Sequence, residues 1–108
     1  MTRSDDYLLA DLFETADKLE LLVLKGNENF IADFGCQWAI ERALLNIGEF
    51  CTHLSVDFKA KYPNIPWKEI IGMRTQLAHS YHLIDSEIVW IAASESVPAL
   101  VKALKQSS

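Results

Sequence analysis

Several things are scarce in this chain, and each scarcity removes a class of protein. Among 108 residues there are two cysteines, three prolines and four glycines. Cys36 and Cys51 sit fifteen positions apart, roughly 22 Å along one helix at about 1.5 Å per residue. A disulfide needs Cα atoms within about 7 Å, so the two cannot pair within one helix. Without a Cys-x-x-Cys spacing they also make no zinc signal, and both are expected to be small core residues. No apolar run reaches the ~18 residues that cross a bilayer. The opening Met1-Thr2-Arg3-Ser4-Asp5-Asp6 turns acidic where a signal peptide stays basic. These absences lead to the expectation of a soluble cytoplasmic protein with no membrane partner. Positive charge is short as well: 10 Lys and Arg against 15 Asp and Glu leave a net charge of −5. That balance argues against general nucleic-acid binding by bulk charge.

What is present is enough apolar residue to fold. Half the chain is hydrophobic and 23% is charged, which suits one domain over residues 1–108. Residues 4–25 have helical spacing, with Ser4 as cap, Asp5 and Asp6 at the positive end of the dipole, and a stripe of Leu8, Leu9, Leu12, Phe13, Ala16, Leu19 and Val23. Leu21 to Leu24 is apolar nearly all round, so that end is expected to be covered on several sides. Gly26-Asn27 stops the helix. Residues 28–34 form a short helix. Residues 36–61 form a long central one bearing Trp38, Ile40, Leu44, Leu45, Ile47, Phe50, Leu54 and Phe58. Pro63 and Pro66 break the chain, and another helix runs from Trp67 to Ala78 or His79. Asp85 caps a last helical segment, which kinks or restarts between Ser94 and Pro98. No segment alternates as a strand does. Short links between helices imply an all-α, up-and-down bundle of four or five helices. Trp38, Trp67 and Trp90 lie on apolar stripes and are expected in the core, and His53 is expected to be an exposed helix residue.

Charge is distributed unevenly. Residues 5–20 carry a balance of −5, whereas residues 57–82 carry +2 together with His79 and His82. An anionic ligand is drawn to the second segment. Within it, Trp67, Ile70, Ile71, Leu77, Ala78 and Tyr81 share one helical stripe with Arg74. A guanidinium in an apolar stripe is costly unless it is paired or faces a wet cleft. Arg74 therefore either meets a carboxylate, such as Glu49, or lines an anion site. Five residues on, His79 lies at the helix end, where the dipole favours its protonated form and suits it to proton transfer. Five residues turn a helix by about 500°, leaving Arg74 and His79 roughly 140° apart. Two copies about a twofold axis could bring both residue types to one cleft. A rival reading is a metal site from His79, His82 and Asp85 beside Tyr81, but a helix end interrupts its geometry.

Residues 66–81, Pro-Trp-Lys-Glu-Ile-Ile-Gly-Met-Arg-Thr-Gln-Leu-Ala-His-Ser-Tyr, resemble the signature of HepT-like HEPN proteins: Arg, four to six residues, His, then Tyr two positions later. Ile47-Gly48-Glu49 before it, and Asp85, Ile88-Val89-Trp90, Pro98 and Leu100 after it, extend the resemblance over nearly the whole chain. The resemblance implies a helical bundle that forms a homodimer or higher oligomer with the motifs at the interface. It implies metal-independent RNA cleavage with no cofactor, and a minimal nucleotidyltransferase antitoxin as partner in a toxin–antitoxin pair. Arg74 and His79 are then the catalytic pair, Glu49 and Thr75 supporting residues, and Tyr81 the hydroxyl that the antitoxin modifies with AMP at the cleft mouth. The family often has Asn after the arginine; Thr75 keeps a hydroxyl but lacks the amide. The alternative within the same resemblance is a non-catalytic substrate-binding or regulatory partner of a nucleotidyltransferase.

Overall fold

A computed structural model describes residues 4–79 and 85–106. Helix α1 spans Asp5–Val23, and its first turn is closed by the Tyr7 N–H donating to Ser4 Oγ at 3.4 Å. The short α2 (Asn27–Ala32) follows Gly26, whose φ of 92° is the left-handed conformation that glycine adopts freely. Asp33 caps α3 (Phe34–His53), accepting from the Gly35 N–H at 2.8 Å and the Cys36 N–H at 3.4 Å. Then come α4 (Val56–Ala60), α5 (Trp67–His79) and α6 (Ser86–Ile91). Asp85 caps α6, accepting from the Glu87 N–H at 2.8 Å, as the sequence implied.

Helix α6 continues through a π-helical turn, Ala92–Ser96, into α7 (Val97–Gln106). The Val97 N–H reaches back to the Ala92 carbonyl, and Ser94 Oγ donates to the Trp90 carbonyl at 2.7 Å. Pro98, which has no N–H, enters just after this widened turn, so the sequence-level expectation of a kink there is met by a π bulge. Among the described residues every regular element is helical, and the long ones pack as an all-α bundle.

The central segment is not one helix. It breaks at Leu54, whose ψ of 143° is extended, and restarts at Ser55 as the cap of α4. Ser55 Oγ accepts from the Phe58 N–H at 3.0 Å, and a long-range contact clasps the same residue: Asp5 at the start of α1 accepts from the Ser55 N–H at 2.9 Å and from Ser55 Oγ at 2.7 Å. The two bonds to Asp5 hold backbone and hydroxyl in the cap conformation and lower the Asp5 carboxyl below its ordinary range.

Helix α3 lies at the centre, packed on α1 along one side and on α5 along another. The core joins Leu12 and Leu19 of α1, Phe30 of α2, Ile40 and Ile47 of α3, and Val89 of α6, all at most 2% exposed. Each such side chain contributes about 1.5–3 kcal/mol by leaving water. Cys36 and Cys51 are buried and free, as expected.

Two burial expectations fail. Trp38 is 65% exposed. Two residues rotate a helix by about 200°, so Trp38 points away from the face that Cys36 and Ile40 bury. It stacks edge to face on exposed Phe34, with ring centroids 5.0 Å apart. Leu21 and Leu24 are also exposed, because α1 packs on α3 and the C-terminal helical run through its Leu8–Leu19 side only. Trp67 and Trp90 are half-buried against the core.

Candidate functional site

The site grows from the α3–α5 contact. Gly48 is buried in α3, and a Cβ there would collide with Arg74 Cβ and stand 3.0 Å from Arg74 Cγ. The missing side chain lets the α5 backbone at Arg74 lie directly against α3. Glycine costs an interior helical position about 1 kcal/mol relative to alanine, and here the close approach offsets that cost.

The close approach decides where the guanidinium goes. Arg74 Nη2 donates to Glu49 Oε2 at 2.6 Å, one residue beyond Gly48. The pair is half-buried: the Arg74 side chain keeps 34% of its exposure and that of Glu49 keeps 39%. Of the two sequence-level options for Arg74, a carboxylate partner or an anion site, the ion pair is thus formed, and it is open to water. Arg74 Nε is sealed from solvent and has no hydrogen-bond partner among the described residues. An orphaned buried donor costs about 1–3 kcal/mol, so the guanidinium is incompletely satisfied in this arrangement.

The other oxygen of the same carboxylate is also engaged. His53 Nε2 lies 2.8 Å from Glu49 Oε1, one helical turn along α3. The Glu49 carboxyl is held below its ordinary range, first by the His53 hydrogen bond and then by Arg74, against a partial desolvation that raises it. An ionised carboxylate only accepts, so His53 Nε2 carries the proton of this bond. Glu49 therefore bridges a histidine and an arginine through separate oxygens.

His79 is the last residue of α5 and is exposed. Arg74 lies five residues earlier on the same helix, about 140° around the axis, so one chain directs the two side chains apart. Thr75 Oγ1 donates to the Ile71 carbonyl of its own helix at 3.3 Å, so its hydroxyl is turned back on α5. Tyr81 and His82 lie outside the described residues. Among the described residues no group of three His, Cys, Asp or Glu side chains could hold a metal, and the suggested His79, His82 and Asp85 set depends on a residue beyond them.

A cavity of about 210 Å³ lies between α3, α5 and the C-terminal run, walled by Leu44, Ile47, Ile70, Met73 and Leu100 among others. Neither Arg74 nor His79 lines it, so it is separate from the charged site.

The family model described as "Ribonuclease HepT-like" matches residues 12–107. The chain belongs to this family. Among similar proteins, "Putative RNase MJ1380" of Methanocaldococcus jannaschii is 38% identical over 95 residues, covering 87% of both chains. "Probable ribonuclease HepT" of Thermococcus cleftensis is 36% identical over 101 residues, 93% of this chain and 92% of that one. "Putative RNase TTE0752" of Caldanaerobacter subterraneus is 37% identical over 79 residues, 73% of this chain and 70% of its own. No solved structure gives a significant match.

In this HepT-like chain the sequence reading placed Arg74 and Glu49 correctly as possible partners but assigned His53 no more than an exposed position. His53 is exposed, yet it touches the site through Glu49. The signal was available: Glu49 and His53 stand at i and i+4, the spacing that brings helical side chains together.

Proposed function

We propose that this protein is a metal-independent RNA endonuclease acting as a homodimer, the toxin of a pair whose antitoxin is a minimal nucleotidyltransferase. The observation that carries the reading is Arg74: a guanidinium set against Gly48, half open to water, held through one nitrogen by Glu49 and otherwise unsatisfied at Nε. An RNA phosphate is an anion that such a group can serve. Membership of the ribonuclease family supports the same chemistry.

RNA supplies its own nucleophile. The 2′-hydroxyl attacks the adjacent phosphorus, its proton passes to a base, and the phosphorus–O5′ bond breaks as an acid protonates the leaving O5′. Arg74 stabilises charge on the phosphorane oxygens, and His79 supplies base and acid from the two copies. Two features support a second chain. Arg74 and His79 diverge within one helix, and no residue of α5 is fully buried although Trp67, Ile70, Ile71 and Leu77 are all apolar. Tyr81 is the proposed site of AMP transfer by the antitoxin. The added phosphate would compete for Arg74 and the nucleoside would obstruct entry, silencing cleavage without unfolding.

The test is cleavage of RNA by the purified chain in EDTA. The expected products carry 2′,3′-cyclic or 3′-phosphate ends, and Arg74→Ala or His79→Ala each abolishes them. Light scattering should give a dimer at micromolar concentration. Incubation with the cognate nucleotidyltransferase and ATP should add AMP to the wild type and not to Tyr81→Phe. No cleavage by the wild-type dimer, or mutants that cut equally well, would favour the adaptor function instead.

A further inference from the structure

We infer that His53 is a positioning residue of the arginine site, acting through Glu49 to hold Arg74 in place. This rests on the ribonuclease reading above for its catalytic consequence, but not for its geometry.

Glu49 has two carboxylate oxygens and each has one partner: His53 on Oε1 at 2.8 Å and Arg74 on Oε2 at 2.6 Å. A carboxylate on a flexible side chain with a single partner can rotate to follow it. Fixed at its second oxygen by a group on its own helix, it presents the first oxygen in one direction. His53 is well placed for this, because it lies in the last turn of α3, one turn from Glu49, and its ring is rigid beyond two torsions. Among the described residues the Glu49 carboxylate is the anchor of the Arg74 guanidinium, whose Nε is buried without a partner, so the direction of that carboxylate oxygen bears on how the guanidinium is held. The His53 hydrogen bond and the Arg74 guanidinium both lower the Glu49 carboxyl, in keeping with one carboxylate shared between them. Because His53 is largely exposed, its ring contributes little to the core, and its loss should leave the fold intact.

The experiment compares His53→Leu and His53→Gln with the wild-type chain. The amide nitrogen of glutamine can donate to Glu49 Oε1 as the imidazole does, whereas leucine cannot. The first readout is the Arg74 Nε–H resonance in ¹⁵N-labelled protein, assigned by its loss in Arg74→Lys. It should shift or broaden in His53→Leu and stay near its wild-type position in His53→Gln, with thermal midpoints unchanged. The second readout is cleavage of a fluorescent oligoribonucleotide. His53→Leu should lower kcat about tenfold or more with KM changed by less than about threefold, since misplacing a group that acts on the transition state costs rate rather than binding. His53→Gln should restore most of the rate. An Arg74 resonance indifferent to His53→Leu overturns the inference. So does a kcat that Gln and Leu reduce alike. If the wild-type chain cuts no RNA, the functional reading fails, and the resonance still decides the positioning role.

Discussion

Replacing Gly48 by alanine sets two magnitudes against each other. The substitution should raise the helix propensity of α3 by about 1 kcal/mol. It also places a Cβ onto Arg74 Cβ, 3.0 Å from Arg74 Cγ and 3.4 Å from the Arg74 Cα. The colliding atom, Arg74 Cβ, is fixed to the backbone and no rotamer moves it, so α5 itself must shift. Overpacking of this kind costs about 1–3 kcal/mol, leaving a net loss of up to about 2 kcal/mol. Gly72 is the matching control: it lies in α5, is exposed, and has no atom within 4 Å of a built Cβ. Gly72→Ala gains propensity without the clash and should stabilise by about 0.5–1 kcal/mol. At about 4 °C per kcal/mol for a domain of this size, the two variants should melt roughly 2–12 °C apart, Gly48→Ala lower. Calorimetry gives the stabilities, and cleavage assays give the consequence for the site. A displacement near 1 Å at Arg74 can cost about 10²-fold in rate, far beyond what the stability loss explains. If Gly48→Ala is as stable as Gly72→Ala and cuts at the wild-type rate, the α3–α5 contact does not position Arg74 and the reasoning fails.

Asp5→Asn should destabilise the chain at neutral pH by a few tenths of a kcal/mol to about 1 kcal/mol, since an exposed charged hydrogen bond is screened. The Asp5 carboxyl is lowered by the Ser55 bonds, so its contribution is complete above the unfolded value of 3.8 and disappears as pH falls through the folded one. Denaturant titrations should therefore show the variant and wild type converging as pH falls below 3.8; a difference that does not shrink as the pH is lowered would contradict the assignment. Cys51 is fully buried and its thiol is pushed up to about 12 by desolvation, so iodoacetamide at pH 8 should leave it unlabelled in the native chain and alkylate it in denaturant, as peptide mapping would show. Thr75→Val should change cleavage by less than about threefold, because the hydroxyl is spent on the Ile71 carbonyl; a loss as deep as that of Arg74→Ala would place the hydroxyl in the site.

The local elements are legible in the order of residues alone. Ser4 and Asp85 act as caps, the Pro63–Pro66 stretch separates α4 from α5, α5 begins at Trp67, and the Leu8–Leu19 stripe enters the core. Each of these depends on neighbours within a few residues, through spacing or a side chain closing its own backbone. The sequence also isolated Arg74, because a charge in an apolar stripe is visible without any partner. Tertiary structure decided the rest. The break at Leu54 has a local element, Ser55 Oγ accepting from the Phe58 N–H, but Asp5, fifty residues away, clasps the same serine, and that contact is not legible in the order of residues. Trp38 reads as apolar whichever side it faces, and only the placement of α1 and α5 around α3 leaves it in water. Gly48 reads as a weak helix position until α5 is laid against it. The link from His53 through Glu49 to Arg74 needs that same contact, since two of its members are neighbours on α3 and the third arrives on another helix. Local chemistry is written in the order of residues; which faces meet is set by the bundle, where burial of the whole core outweighs the preference of any one side chain.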